Sequence, residues 1–362
     1  MIARDDLRAA VAAGVVTEPQ AVALLSLAQT RGTARADVRP GEEPFELFRG
    51  FNEIFVVTGL AILAFGWQGL LAAVRWWGVA AGDGGPPGVG WTHAILSLGG
   101  LGLVWLLSEY FIRRRRMVAP AIALSILFGL GAFTAAWPLV PEPASWSPFA
   151  ELRSFAGAAG AASVAGLLHF RRFRVPFTLA QVALGALLAL VASVALREGI
   201  MPTSAALFEL GAGGAAGWVV LALGLGLFAL AMGYDASDPH RVTRRAANGF
   251  WLHVVAAPAI VNILALSLLA DPTPPRLAML AALLALFALV AVVIDRRSFL
   301  VAGAGYAVAL AGYLGDGAGL AGAVLALGAA LLLLGALWEP IRRAVLRRLG
   351  PAFPRDRLPP AA

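Results

Sequence analysis

The sequence alternates apolar runs with short connections that carry arginine, and many of the runs are roughly twenty residues long. A run of that length can cross a hydrocarbon core about 30 Å thick as an α-helix. Charged residues make up only 14% of the 362 residues, whereas an ordinary soluble domain is about a quarter charged. One soluble core could not enclose so many wholly apolar helices. The pattern therefore predicts an all-α fold, a polytopic membrane helix bundle.

We predict about ten transmembrane helices. They cover residues 54–77, 90–112, 118–137, 154–170, 176–196, 213–233, 250–269, 276–294, 299–314 and 319–338. The segment 203–212 either extends the sixth span or forms a separate interfacial piece.

Arginine supplies the orientation. All 28 basic residues are arginine, and 24 of them lie in the two terminal tails and in alternate connections between spans. The opposite side holds four arginines, which are Arg75, Arg153, Arg197 and Arg276. Because cytoplasmic loops are enriched in basic residues, we predict that both termini are cytoplasmic.

The net charge of +7 is typical of proteins that bind an anionic partner. Its distribution over the connections indicates lipid headgroups, at about 1 kcal/mol per basic residue near the surface. The partners predicted from charge are thus membrane lipids, with no nucleic acid. The candidate headgroup-anchoring residues are Arg113, Arg114, Arg115, Arg116, Arg171, Arg172, Arg244 and Arg245.

Residues 1–31 are predicted to form a cytoplasmic helical hairpin. Gly14 is placed to end the first helix, and residues 17–20 (TEPQ) have the spacing of a capping box for the second. The second helix has no basic side chain before Arg31, so it offers nothing to DNA phosphates. The hairpin either packs on its own chain or docks a protein partner.

The rest of the chain divides into three parts. Residues 32–53 are predicted to be a linker and an interfacial helix, with Phe45, Phe48 and Phe51 at helical spacing. Residues 54–338 form the ten-helix membrane domain, and residues 339–362 form a basic cytoplasmic tail.

Polar groups within the apolar runs are few, and such groups are functional candidates. Gln68, Glu209, His253 and Asn262 are the candidate substrate-binding residues. Glu209 lies either in the outer leaflet or at the surface. His253 is either functional or a helix-packing hydrogen-bond group, and it faces nearly opposite to Asn262, nine residues further along the helix.

Other charged residues are predicted to form interfacial ion pairs. Glu109 lies four residues before Arg113, and Asp295 is adjacent to Arg296. The sequence contains no cysteine, no HExxH, no histidine pair at i,i+4 and no Walker motif. We therefore predict no catalytic residues, no metal site and no cofactor.

Small residues indicate close helix packing. At two places, glycines also indicate interruptions of the spans. Gly213 and Gly217 form GxxxG, and Ala158, Ala162 and Gly166 repeat at the same spacing. The glycines of 66–69 and 211–214 would interrupt the first span and precede the sixth. Matching interruptions in two halves of five spans are typical of a transporter built from inverted repeats.

Several stretches resemble an uncharacterised bacterial family. The N-terminal pattern through Leu24-Leu25, together with EYFIRRRRMVAPAI, RRFRVPFTLA and FWLHVVAAPAIVN, is similar to multi-span membrane proteins of proteobacteria with a domain of unknown function. The resemblance implies a multi-pass protein of the bacterial inner membrane and carries no functional residues with it. The ten-span arrangement is also similar to that of drug and metabolite exporters.

Two functions remain open at this stage. The first hypothesis is transport of a small apolar or lipid-like solute, based on the span count and the scarce polar groups. The second is a non-catalytic membrane scaffold or assembly factor that binds a partner through the hairpin. A membrane-embedded enzyme ranks third, because no set of catalytic groups converges in the sequence.

Overall fold

The computed structural model describes residues 4–21, 23–24, 52–80, 89–137, 147–201, 203, 209–210, 214–241, 243–314, 317–349 and 357–359. Within these ranges every regular element is a helix, which confirms the predicted all-α class. Residues 32–51 of the predicted linker and interfacial helix, most of 203–212, and residues 350–356 and 360–362 of the predicted C-terminal tail lie outside the described residues.

The helices are labelled here in chain order. They are α1 (Arg4–Ala12), α2 (Asn52–Ala80), α3 (Val89–Ser108), α4 (Val118–Ala136), α5 (Pro148–Phe173), α6 (Pro176–Glu198), α7 (Ala216–Ser237), α8 (Arg244–Leu269), α9 (Pro274–Ile294), α10 (Ser298–Leu314), α11 (Gly317–Ala336) and α12 (Trp338–Arg348). A π-helix, Glu109–Arg114, continues α3.

Each predicted span coincides with one described helix, with ends that differ by a few residues. Seven of the described helices are long and apolar enough to cross a membrane, or eight if the bent pair α11 and α12 counts as one span. The two predicted spans that fall short are α5, in which Ala and Gly predominate, and α10, which has 17 residues. The count of ten is not confirmed.

The predicted interruption of the first span is wrong. Helix α2 runs without a break through residues 66–69. A glycine within a helix costs only about 1 kcal/mol relative to alanine, and the helix around it is strongly apolar. Residues 211–213 lie outside the described part, so α2 offers no counterpart for a matched pair of broken helices.

The start of the second hairpin helix has the predicted capping box. The backbone N–H of Thr17 donates to Oε1 of Gln20 at 2.9 Å, and the N–H of Gln20 donates to Oγ1 of Thr17 at 3.4 Å. Gly14 adopts a φ of +67°, which favours glycine and lets the chain turn after α1. Leu7 is buried.

Small residues bring two helix pairs into close contact. An added Cβ on Gly166 of α5 would lie 3.0 Å from Cγ2 of Val182 in α6, and one on Gly185 would lie 3.1 Å from the carbonyl oxygen of Ala159. In the second pair, Gly224 of α7 packs equally tightly on α8. The predicted role of small residues in packing is confirmed at Gly166.

Four arginine-bearing connections meet at one end of the bundle, which we call the arginine-rich end. They are residues 115–117, 174–175, 238–241 with 243, and 295–297. Glu109 contacts Arg113 at 2.9 Å and Arg172 at 2.7 Å, which confirms the first predicted ion pair. Arg244 donates to the carbonyl oxygen of Arg174 at 3.4 Å and so links the second connection to the third.

The last described helix lies across this end. Helices α11 and α12 are bent by 81° relative to one another. Trp338 and Arg342 of α12 are buried, and Arg342 donates to the carbonyl oxygen of Pro359. Part of the C-terminal tail therefore packs against the helices.

Candidate functional site

A buried ionic triad lies near the arginine-rich end, formed by Asp235 of α7, His253 of α8 and Arg296, which follows α9. Arg296 binds Asp235 with two hydrogen bonds, from Nε to Oδ2 at 3.0 Å and from Nη2 to Oδ1. Nε2 of His253 lies 3.0 Å from Oδ2 of Asp235. All three side chains are less than a tenth exposed. Charges at this depth require such pairing, because an isolated buried ion is very costly.

The surrounding residues leave room for the triad. Gly249 faces Asp235 across the contact between α7 and α8, where an added Cβ would overlap Oδ1 of that carboxylate. Phe228 and Phe299 pack around the His253 ring, with centroid distances of 5.5 and 6.2 Å. Arg296 also donates to the carbonyl oxygen of Ala246 at 2.8 Å. Three helices are thereby held together by one carboxylate.

The proton on His253 can be placed from its partners. Asp235 accepts through Oδ2, so Nε2 of His253 is the nitrogen that donates. Nδ1 is buried and has no hydrogen-bond partner among the described residues. A neutral imidazole tolerates this arrangement, because the unpaired Nδ1 is then an acceptor without a proton.

Asp295 pairs differently from the prediction. Its carboxylate contacts Arg241 at 2.8 Å and accepts from Nε1 of Trp338 at 2.7 Å, while Arg296 turns inward to Asp235. The predicted Asp295–Arg296 pair is therefore wrong. Asp295 adopts a left-handed conformation that ends α9, so the two adjacent side chains point to different partners.

Arg241 closes this outer layer. Its Nη2 also donates to the carbonyl oxygen of Asp295 at 2.8 Å. Partial burial, followed by the positive charge of Arg296, lowers the pKa of Arg241, and the Asp295 carboxylate opposes that change. A guanidinium remains charged at neutral pH regardless.

A cavity of about 630 Å³, here called the charged cavity, opens beside these groups. Arginines and two carboxylates line one part of it, and aromatic and aliphatic side chains line the rest. Its lining residues are Arg241, Phe250, Val254, Pro258, Asp295, Arg296, Arg297, Ser298, Val301, Ala302, Trp338 and Glu339.

A second cavity of about 490 Å³, here called the apolar cavity, lies between α6, α7 and α8. Gln181 and Asn262 contribute amide groups to a lining that is otherwise mostly aliphatic and aromatic. Leu184 and Leu188 of the same lining are exposed on the outside of the bundle. Such a cavity suits an apolar ligand that is oriented by a few polar groups.

The structure does not bring the four predicted substrate-binding residues together. His253 belongs to the triad, and Asn262 lines the apolar cavity and accepts from the hydroxyl of Tyr306 at 3.0 Å. Gln68 lines a separate cavity of about 50 Å³ between α2, α3 and α4. Glu209, which is half-buried before α7, lines none of these three cavities.

The Gln68 cavity has two unusual polar groups. Nε1 of Trp67 and Oγ of Ser97 are buried in its wall and have no hydrogen-bond partner among the described residues. The rest of the wall is mostly apolar, and the cavity volume exceeds the roughly 10–15 Å³ of probe-occupied volume that one water molecule needs.

His169 is a second buried histidine that the sequence analysis did not single out. Its Nε2 lies 3.3 Å from Oγ of Ser108, and its ring packs against Phe173 and Phe128 at 4.5 and 5.1 Å. No carboxylate pairs with it in the described part of the chain. It therefore joins α3, α4 and α5 as a packing residue.

The candidate headgroup-anchoring arginines all lie at the arginine-rich end. Seven of the eight are exposed, and Arg244 is half-buried where it contacts the second connection. Their position fits contact with headgroups, which stays a prediction. In the described ranges no three His, Asp or Glu side chains are grouped so that they could hold a metal ion.

Sequence reasoning missed Asp235 and Arg296, the two partners of His253. Asp235 is the one acidic residue within the apolar run 216–237, which is a signal that could have identified it. Arg296 was predicted to contribute to the arginine pattern and to pair with the adjacent Asp295, because an arginine between two spans ordinarily lies at the membrane surface.

Large apolar side chains cover the outside of the helices. Phe65 of α2 and Leu332 of α11, for example, are 82% and 76% exposed. Together with the length of the helices, this surface defines an α-helical membrane protein with several spans. A scan against protein-family models finds no match, and no curated protein matches the sequence.

Proposed function

We propose that the protein transports a small apolar or lipid-like solute across the bacterial inner membrane. The observation that carries this proposal is the apolar cavity between α6, α7 and α8. Its lining is almost wholly apolar, and Leu184 and Leu188 place part of that lining on the outside of the bundle. A solute dissolved in the bilayer therefore has direct access to the cavity.

The two amides of the apolar cavity would orient a bound solute. Asn262 is fixed by the Tyr306 hydroxyl. In the amide orientation that satisfies both of its polar atoms, Gln181 donates to the carbonyl oxygen of Ser125 and accepts from the N–H of Ile126. Both groups are anchored to neighbouring helices, so a solute that contacts them also contacts the packing between helices. Transport requires this kind of link, because a ligand shifts helices only through contacts that differ between states.

Filling the apolar cavity is expected to stop transport. In the Leu187→Trp variant the indole ring would fill part of the cavity beside Val191. Solute flux into proteoliposomes should therefore fall about tenfold. The measurement is the initial rate of uptake of a fluorescent lipid-like solute. Leu190→Trp is the matched control, since Leu190 is exposed on the same helix and does not line the cavity. Equal flux in both variants would contradict the site.

The proposed topology has ten spans and places the arginine-rich end in the cytoplasm. Its support is the clustering of four arginine-bearing connections at that end. With no native cysteine, single-cysteine variants can report the side of the membrane. We expect Arg115→Cys to be labelled only from the cytoplasm, and Trp76→Cys, 75% exposed near the opposite end, only from outside. Labelling from the reversed sides would overturn the orientation.

A membrane scaffold remains the second candidate function. The described part of the hairpin presents Val15 and Leu24 as exposed apolar residues, which suits contact with a protein partner. The flux assay separates the two functions, because a scaffold gives no flux in the unaltered protein. Membership of the uncharacterised bacterial family is likewise a proposal, supported by the sequence stretches quoted above.

A further inference from the structure

The two cavities adjoin each other along α8. Val254 and Pro258 line both of them. The charged cavity lies on the side of these residues nearer Arg296, and the apolar cavity lies on the side nearer α6. A ligand with a charged head and an apolar tail could therefore occupy both at once.

The charges of the charged cavity are unevenly paired. Asp295 neutralises Arg241, and Asp235 neutralises Arg296. Arg297 instead places its guanidinium 4.8 Å from the centre of the Trp338 ring and contacts no carboxylate among the described residues. Stacking of this kind fixes a guanidinium and leaves its N–H groups available.

Further donors lie beside Arg297. Helix α10 begins at Ser298, so the free N–H groups of its first turn are at the cavity, where they favour an anion. Oγ of Ser298 is buried and has no hydrogen-bond partner in the described part of the chain. A guanidinium, a hydroxyl and a helix N-terminus together form a phosphate-binding arrangement.

Glu339 adds an unpaired negative charge to the charged cavity, among the described residues. It lines the cavity from the first turn of α12, is exposed, and pairs with no cation among the described residues. After the paired groups are set aside, one arginine and one glutamate remain. That balance suits a headgroup with one negative and one positive charge, and it disfavours a free anion.

We propose that the charged cavity binds the headgroup of a zwitterionic phospholipid whose acyl chain lies in the apolar cavity. The phosphate contacts Arg297 and Ser298, and the ammonium group lies toward Glu339. This inference rests on the proposed function and names the class of solute for the same site.

The test is lipid binding measured by native mass spectrometry on the purified full-length protein in detergent. Phosphatidylethanolamine is titrated against the unaltered protein, Arg297→Gln and Arg347→Gln. Arg347 is an exposed arginine in the last turn of α12 that lines neither cavity, so its variant is the control. We expect Arg297→Gln to weaken binding about tenfold, the loss expected for one charge-assisted hydrogen bond, and Arg347→Gln to have less than about a twofold effect.

Two further arms separate the sources of a phosphate. Val254 lines both cavities, so the larger side chain of Val254→Trp should narrow the passage between them. We expect this variant to lose the bound phospholipid although Arg297 is unchanged. Inorganic phosphate at millimolar concentration should not displace the bound lipid. Displacement by phosphate, equal loss in the two arginine variants, or stronger binding of phosphatidylglycerol than of phosphatidylethanolamine would each overturn the proposal.

Binding and flux fail in different ways. Arginine-dependent lipid binding without flux in any variant would remove the proposed transport and leave the binding site. Flux that is lost in Leu187→Trp but unaltered in Arg297→Gln, with lipid binding also unaltered, would leave transport and remove the phospholipid site.

Discussion

Replacing Asp235 with alanine is expected to lower the free energy of unfolding by about 3–5 kcal/mol. The carboxylate accepts from both Arg296 and His253, and all three side chains are buried. Its removal leaves a guanidinium charge without a partner between three helices. The measurement is thermal or denaturant unfolding of the purified protein in detergent.

The control for Asp235→Ala is Glu109→Ala. Glu109 also contacts two arginines, but the pairs are at the surface, where such an interaction contributes about 0–1 kcal/mol. Similar losses in the two variants would show that the triad has no special role in stability. Replacing Asp235, His253 and Arg296 together by apolar residues should recover much of the loss, since a well-packed apolar core can equal a buried ion network.

The second large effect is expected from Gly249→Ala, at about 1–3 kcal/mol of lost stability. The added methyl group would overlap Oδ1 of Asp235 and lie 3.2 Å from the carbonyl oxygen of Ala231. The carboxylate cannot simply rotate away, because two hydrogen bonds from Arg296 hold it. Helices α7 and α8 must separate, or the triad must break.

Gly233→Ala is the matched control for Gly249→Ala. Gly233 lies in α7 two residues before Asp235, and an added Cβ there would meet nothing within 4 Å. The same unfolding measurement should show no loss for this variant. A loss of equal size in both would indicate that the helices respond to glycine itself, and not to the space that Gly249 leaves for Asp235.

The helices and the grouping of arginines could be predicted from sequence, because both depend on composition over long stretches. Apolar length predicted each described helix from α2 to α11, and the arginine pattern predicted which connections lie together. The number of spans was harder to predict from composition. Helix α5 packs closely through small residues such as Gly166, and neither its length nor its hydropathy indicates this packing.

The sites were harder to predict, because they depend on which helices are neighbours. His253 was identified as a candidate, yet its partner lies 18 residues earlier on another helix. The wrong partner was assigned to Asp295 because sequence adjacency does not reveal that the chain turns left-handed there. The cavities combine residues from Phe177 to Glu339, and nothing local to any one segment indicates them.

The position of α12 also sets an order of events during synthesis. Trp338 and Glu339 lie in the last described helix, whereas Arg241, Phe250 and Arg297 precede them by at least forty residues. The ribosome therefore releases every other wall of the charged cavity before the tryptophan that completes it. Until then Asp295 lacks its indole partner and Arg297 lacks its stacking surface. The proposed phospholipid site therefore cannot be complete until α12 has been synthesised.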